Sequence, residues 1–199
     1  MTGSPLATVE EVKRIAMISP NNGDITDGEI ASFIEDAQDL VRTLYGDPVE
    51  KTWSLIQYGN TGSTVYDFTG DKRPVYRIDR IEVGGSLLIG SVTENLEIGE
   101  VEVSSDILSL HDGERIEWEW VPQLYNNLVA YKAALYVLES GLIISGEDTR
   151  NARVSHIKSR IEEFEKALAP DTVYGSSGYS NWDPRGPGEY IDQDWSNFY

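Results

Sequence analysis

The sequence predicts an α+β protein: a four-helix bundle with an antiparallel β insertion between its second and third helices, followed by an extended C-terminal arm. Three observations predict it. Apolar residues recur at spacings of three and four over 9–18, 30–44, 124–138 and 154–168. Between Val49 and Glu119 the period changes to two, broken by turn chemistry. From Asp171 to Tyr199 neither period holds, and Gly, Ser, Asn, Asp and Pro dominate. The chain accordingly divides into N-terminal helices (1–48), β insertion (49–120), C-terminal helices (121–169) and arm (170–199).

Thr8-Val-Glu-Glu11 is a capping box, the Thr hydroxyl placed for the Glu11 N–H and the carboxylate reaching back. Val9, Val12, Ile15, Ala16 and Ile18 then share one face, and Ser19-Pro-Asn-Asn-Gly-Asp24 ends the helix. Thr26-Asp-Gly-Glu29 is a second box, followed by Ile30, Phe33, Ile34, Ala37, Leu40, Val41 and Leu44 before Gly46-Asp-Pro48. The run from Asn22 to Gly28 invites a calcium-loop reading. It fails on register, because the glycine falls late and Phe33 stands where the closing glutamate belongs.

In the insertion, strands are expected where Trp53, Leu55 and Gln57 alternate with Ser54, Ile56 and Tyr58, over Val65–Phe68 and over Val75–Val83, with Gly84-Gly85 reversing into Ser86–Ile89. Glu97–Val103, Ile107–Leu110 and Arg115–Trp120 complete the set. Ile116, Trp118 and Trp120 share parity against Glu117 and Glu119, a half-solvated antiparallel pattern. A meander or open barrel of about five to seven strands follows.

Val121 to Gly141 is the centre of the chain. Pro122 suits the first helical position and Gly141 the residue past the end. Leu124, Leu128, Tyr131, Leu135 and Leu138, widened by Val129, Ala133, Ala134 and Val137, leave only Lys132 and Glu139 charged. Such a helix must be buried on several sides. Ser145 and Asp148 fit the cap of the last helix, whose Val154, Ile157, Ile161, Phe164 and Leu168 face a core. Arg150, Arg153, Lys158, Arg160 and Lys166 share its other faces with acids, a solvated surface laced with ion pairs.

The arm is poor in aliphatics and cannot build a core of its own. Its aromatics, Tyr174, Tyr179, Trp182, Tyr190, Trp195, Phe198 and Tyr199, suit pockets of another subunit, so the arm is expected to order on assembly.

Composition narrows the function. The net charge is −18, from 34 acidic and 16 basic residues, which disfavours direct binding to nucleic acid or anionic lipid. Acid dispersed over every element, with Lys rarer than Arg, fits a very salty cytoplasm, where screening is short-ranged. Cys is absent, so disulfides and thiolate metal sites are excluded. No apolar run approaches the roughly 18 to 20 residues of a membrane span, and the N-terminus lacks the order of a signal peptide, so a soluble, unexported protein is expected. His111 and His156 lack the neighbours of a catalytic or zinc constellation, and the glycine pairs read as turns. No catalytic residue, cofactor or metal is expected.

The order of elements resembles the head–tail connector (adaptor) proteins of tailed viruses. The likeness rests on Asp27–Tyr45, on Phe68-Thr-Gly70 with Val75-Tyr-Arg-Ile-Asp-Arg-Ile-Glu-Val-Gly-Gly85, and on Trp120-Val-Pro-Gln-Leu-Tyr-Asn-Asn-Leu-Val-Ala-Tyr-Lys-Ala-Ala-Leu-Tyr136. It spans roughly residues 6–169 and consists of apolar patterns and lengths. The resemblance implies a connector-type helical bundle and a ring of about twelve copies in the viral neck, built on cyclic contacts. It implies a portal protein on one side, a stopper or tail protein on the other, and double-stranded DNA only as passing cargo. The β insertion and the aromatic arm exceed the family's shorter members. Two other classes stay open: a soluble module binding a ligand in the β insertion, and a carboxylate-dependent hydrolase, which needs two acids about 5 to 9 Å apart in a pocket.

Overall fold

A computed structural model describes residues 5–18, 25–57, 62–69, 72–88, 92–142 and 147–169. Met1–Leu168 form one unit and Ala169–Tyr199 another. Both N-terminal capping boxes close as the sequence requires. In α1 (Val9–Ala16) the Glu11 N–H donates to Thr8 Oγ1 at 3.2 Å, and the Thr8 N–H donates to Glu11 Oε2 at 2.8 Å. In α2 (Asp27–Tyr45) Thr26 and Glu29 repeat this at 3.3 and 2.7 Å. Gly46, at φ 85°, ends α2.

The strands are β1 (Glu50–Leu55), β2 (Thr64–Asp67), β3 (Val75–Val83), β4 (Ser86–Leu87), β5 (Val92–Asn95), β6 (Glu100–Val103) and β7 (Arg115–Pro122). A short helix, α3 (Ser105–Leu108), precedes β7, and α4 (Gln123–Glu139) and α5 (Glu147–Leu168) follow it. All pairing is antiparallel, in two sheets ordered β1-β7-β3-β4 and β2-β6-β5.

This corrects the expected four-helix bundle with one β insertion. Among the described residues there are five helices, one of them within the β region, and the strands form two sheets. Pairing between distant segments divides the sheets: β1 joins β7, Thr52 opposite Trp118, and leaves β2, β5 and β6 to pair among themselves. The expected strand at Ile107–Leu110 is instead α3 and its closing turn. Ser104 stands at the cap and its carbonyl accepts from the N–H groups of Ile107 and Leu108. Residues 96–99 are a turn, so the strand expected at Glu97–Val103 starts at Glu100, and β5 was not legible.

The two sheets share an apolar core. Tyr66 and Phe68 meet Trp118 with ring centroids 5.5 and 5.8 Å apart, and Phe68 sits edge-on to Trp120 at 5.6 Å. A second core belongs to the helices, with α1, α2 and α5 each packed on α4. Leu128, Val129, Ala133, Ala134 and Val137 are all inaccessible, so α4 is buried on more than one side, as its composition demands. Burial of Leu128, Val129 and Val137 contributes about 1.5–3 kcal/mol each, and of the two alanines less.

No loop separates β7 from α4. Pro122 pairs with Val75 as the last strand residue and is also the helix N-cap, at ψ 142°, so the first helical position expected for it belongs to Gln123. The Gln123 N–H, which the helix leaves without a partner, donates to Pro74 O at 2.9 Å. Gly141, at φ 76°, lies past the Ser140 C-cap, as expected.

Candidate functional site

The groups able to carry chemistry are dispersed. His111, on the turn before β7, has Nδ1 2.9 Å from Glu114 Oε2, an acid neighbour that sequence reading did not assign to it. His156, on α5, lines a groove of about 390 Å³ with Arg14, Met17, Asn127 and Tyr131. Among the described residues no group of three or more His, Asp or Glu is arranged to hold a metal ion, and no helix is long and apolar enough to cross a membrane. Glu29 is held below its ordinary value by hydrogen bonds from the Thr26 backbone and hydroxyl, the opposite of the shift a general acid requires.

A buried polar cluster organises the N-terminus instead. The Leu6 N–H donates to Gln38 Oε1 of α2, and its carbonyl accepts from Asn126 Nδ2 of α4, both at 2.8 Å. Asn126 Nδ2 also lies 3.3 Å from Glu11 Oε2, and Gln123 Nε2 donates to Asn126 Oδ1 at 2.5 Å. Arg77 Nη1 on β3 donates to Pro5 O at 2.5 Å. Buried Gln38 and Asn126 satisfy the backbone N–H and carbonyl of Leu6, which would otherwise be buried unpaired.

Fixing Pro5–Ala7 in this way forms one wall of a groove of about 730 Å³, the other wall being α2. Pro5, Ala7, Val9, Ala31 and Ile34 give it an apolar lining, and Glu35, Asp39 and Arg42 add charge. The 390 Å³ groove involves α1, α4 and α5, so α1 contributes to both. The helical periodicity of α2 locates its buried stripe, whereas the groove depends on where Leu6 is tied. Only the tertiary structure shows that.

A different surface belongs to the outer side of the β1-β7-β3-β4 sheet. Trp53 and Leu55 are exposed on its edge strand, and the Arg115 guanidinium lies 4.5 Å above the Trp53 ring. Lys51 reaches Glu119 at 2.6 Å, and Arg80 pairs with Glu82. The arm aromatics, Tyr174, Tyr179, Trp182, Tyr190, Trp195, Phe198 and Tyr199, and the Ser145 cap lie outside the described residues, as does the Asp148 side chain.

No family model matches the chain, and no curated protein matches it.

Proposed function

We propose that this chain is a virion structural protein, a head–tail adaptor whose copies form a ring around the DNA channel between portal and tail. The observation that carries the reading is the way the chain returns from its β region: Trp120-Val-Pro122 passes without a loop into an apolar helix sheathed by α1, α2 and α5. That order of elements is the one on which the connector resemblance rests.

The work of such a protein is geometric. Copies meet through two different surfaces, a heterologous contact that closes into a ring when the rotation per copy allows it. A net charge of −18 keeps DNA from adhering as it passes. The aromatics of residues 170–199 supply anchors for a neighbouring copy or the portal. The acid balance suits assembly in a salt-rich host cytoplasm.

The test is affinity capture with the tagged chain from lysate of its source in molar salt, read by mass spectrometry. A portal-sized virion protein together with a tail protein is expected. Recovery of neither, with the chain folded, overturns the adaptor reading in favour of a ligand-binding module. Truncation after Ala169 is expected to leave a folded chain that loses ring or portal attachment. Unchanged assembly and attachment would remove the arm from the mechanism.

A further inference from the structure

We infer that the groove between Pro5–Val9 and α2 is the seat for a second copy of this chain, entered by Met17 and the basic surface beside it. That the occupant is a copy rests on the ring reading above and on charge.

A surface that attracts another molecule of a chain at −18 has to be locally basic. Most described cations are already in ion pairs, as Lys13 is with Asp27 and Lys132 with Glu165. Arg14, Arg150 and Arg153 have no acidic partner among the described residues. They lie where the last turn of α1 meets the first turns of α5: Arg153 Nη1 donates to Ala16 O at 3.4 Å, Arg150 is one turn before it, and Arg14 shares a groove with His156. Of the other cations on α5, Lys158 and Arg160 are paired with Glu139 and Glu163, so Arg150 and Arg153 are the ones left to face a partner here.

Met17 lines the same groove as Arg14 and His156. It is 65% exposed and holds a left-handed backbone at φ 53°, with its N–H on Arg14 O and that of Ile18 on Lys13 O. A non-glycine residue there is strained by about 1–2 kcal/mol. The thioether is an apolar knob with adaptable shape.

The groove offers what this knob and its cations lack. Ala7, Val9, Ala31 and Ile34 give an apolar floor, and Glu35 and Asp39 outnumber the one cation beside it, Arg42, with none of the three in an ion pair among the described residues. Its volume, about 730 Å³, admits a side chain and part of a helical turn. A rim with two carboxylates to one guanidinium favours an incoming Arg over an anion. Knob and groove are different surfaces of one chain, so the contact is heterologous and propagates around a ring. In molar salt screening shortens to about 3 Å, so the Arg–carboxylate pairs act only in direct contact, and Met17 burial supplies the rest.

The absence of Cys makes the test direct. Full-length Met17→Cys and Ala31→Cys chains are oxidised separately and as an equimolar mixture in molar KCl. A cross-linked dimer is expected in the mixture alone. Equal cross-linking within either single variant means a two-fold contact and overturns the inference. No cross-link from a chain that native mass spectrometry shows to be oligomeric means another surface closes the ring, which leaves the adaptor reading standing. For a chain that is monomeric alone yet captures a portal, the mixture is oxidised on the portal, and no cross-link there overturns the inference. Cross-linked copies that capture no virion protein support the contact and remove the adaptor reading. As a second measurement, Glu35→Lys/Asp39→Lys is expected to weaken self-association at least tenfold, and mixing with Arg14→Glu/Arg150→Glu is expected to restore it. Unchanged association of the first variant overturns the inference.

Discussion

Asn126 of α4 donates from Nδ2 to the carbonyl oxygen of Leu6 at 2.8 Å, across 120 positions of sequence. Gln38 of α2 takes the Leu6 N–H at the same distance, so two helices hold the two peptide groups that flank one residue. The entry of the chain is thereby tied into the helical core.

Asn126→Leu is expected to lower stability by about 1–3 kcal/mol, the cost of a buried carbonyl left without a donor. For a chain of this size that is a fall of roughly 2–12 °C in Tm. Calorimetry of the two proteins measures it. An unchanged Tm would mean that water replaces the amide.

The two core tryptophans separate packing from hydrogen bonding. Trp120 Nε1 donates to Thr52 Oγ1 at 3.2 Å, whereas Trp118 Nε1 is buried with no partner. Substitution by Phe removes similar volume at both sites. Trp120→Phe is therefore expected to be worse than Trp118→Phe by about 1–2 kcal/mol in urea unfolding. Equal losses would contradict the assignment.

Gly99 and Gly85 both have positive φ, 66° and 80°, but different surroundings. A Cβ on Gly99 would lie 2.0 Å from Thr69 Oγ1, and Thr69 is buried; a Cβ on Gly85 meets open space. Gly85→Ala is expected to cost about 1 kcal/mol, the backbone penalty alone. Gly99→Ala should cost at least about 1 kcal/mol more, since overpacking is added. Chemical denaturation of the pair distinguishes them.

Stability should respond to pH at both ends. Because the folded pKa of Glu29 lies below its ordinary 4.5, its contribution is present above that value and fades as pH falls through the folded one. The Tm gap between wild type and Glu29→Gln should close on acidification from pH 4.5. Tyr125 and Tyr76 are shifted the other way, chiefly by burial. Their neutral forms favour the fold below pH 10.0, and this preference is lost as pH rises through the raised values. Phenolate absorbance is expected to show late ionisation coincident with unfolding. Complete ionisation of a folded chain near pH 10 would refute it.

Local chemistry was legible, and distant pairing was not. Thr8 with Glu11 and Thr26 with Glu29 each sit three residues apart, so the sequence contains the whole device. The burial of α4 on several sides follows from its composition. By contrast, the junction of β1 with β7 places Trp53 opposite Glu117, and no alternation within either strand specifies that partner. Ile107 and Leu108 look like strand residues because two adjacent apolar side chains suit a buried strand as well as one turn of helix. The site suffers the same limit. Gln38 and Asn126 lie on the apolar stripes of their own helices, and only contact with Leu6 reveals what they are for.

Pro122 closes a strand and opens a helix with no residue between them. The linkage has no compliant joint. The direction of β7 at Val121 therefore sets the direction in which α4 starts at Gln123, and α4 is the helix on which α1, α2 and α5 pack. The end of the sheet and the start of the central helix turn together, as one bent piece.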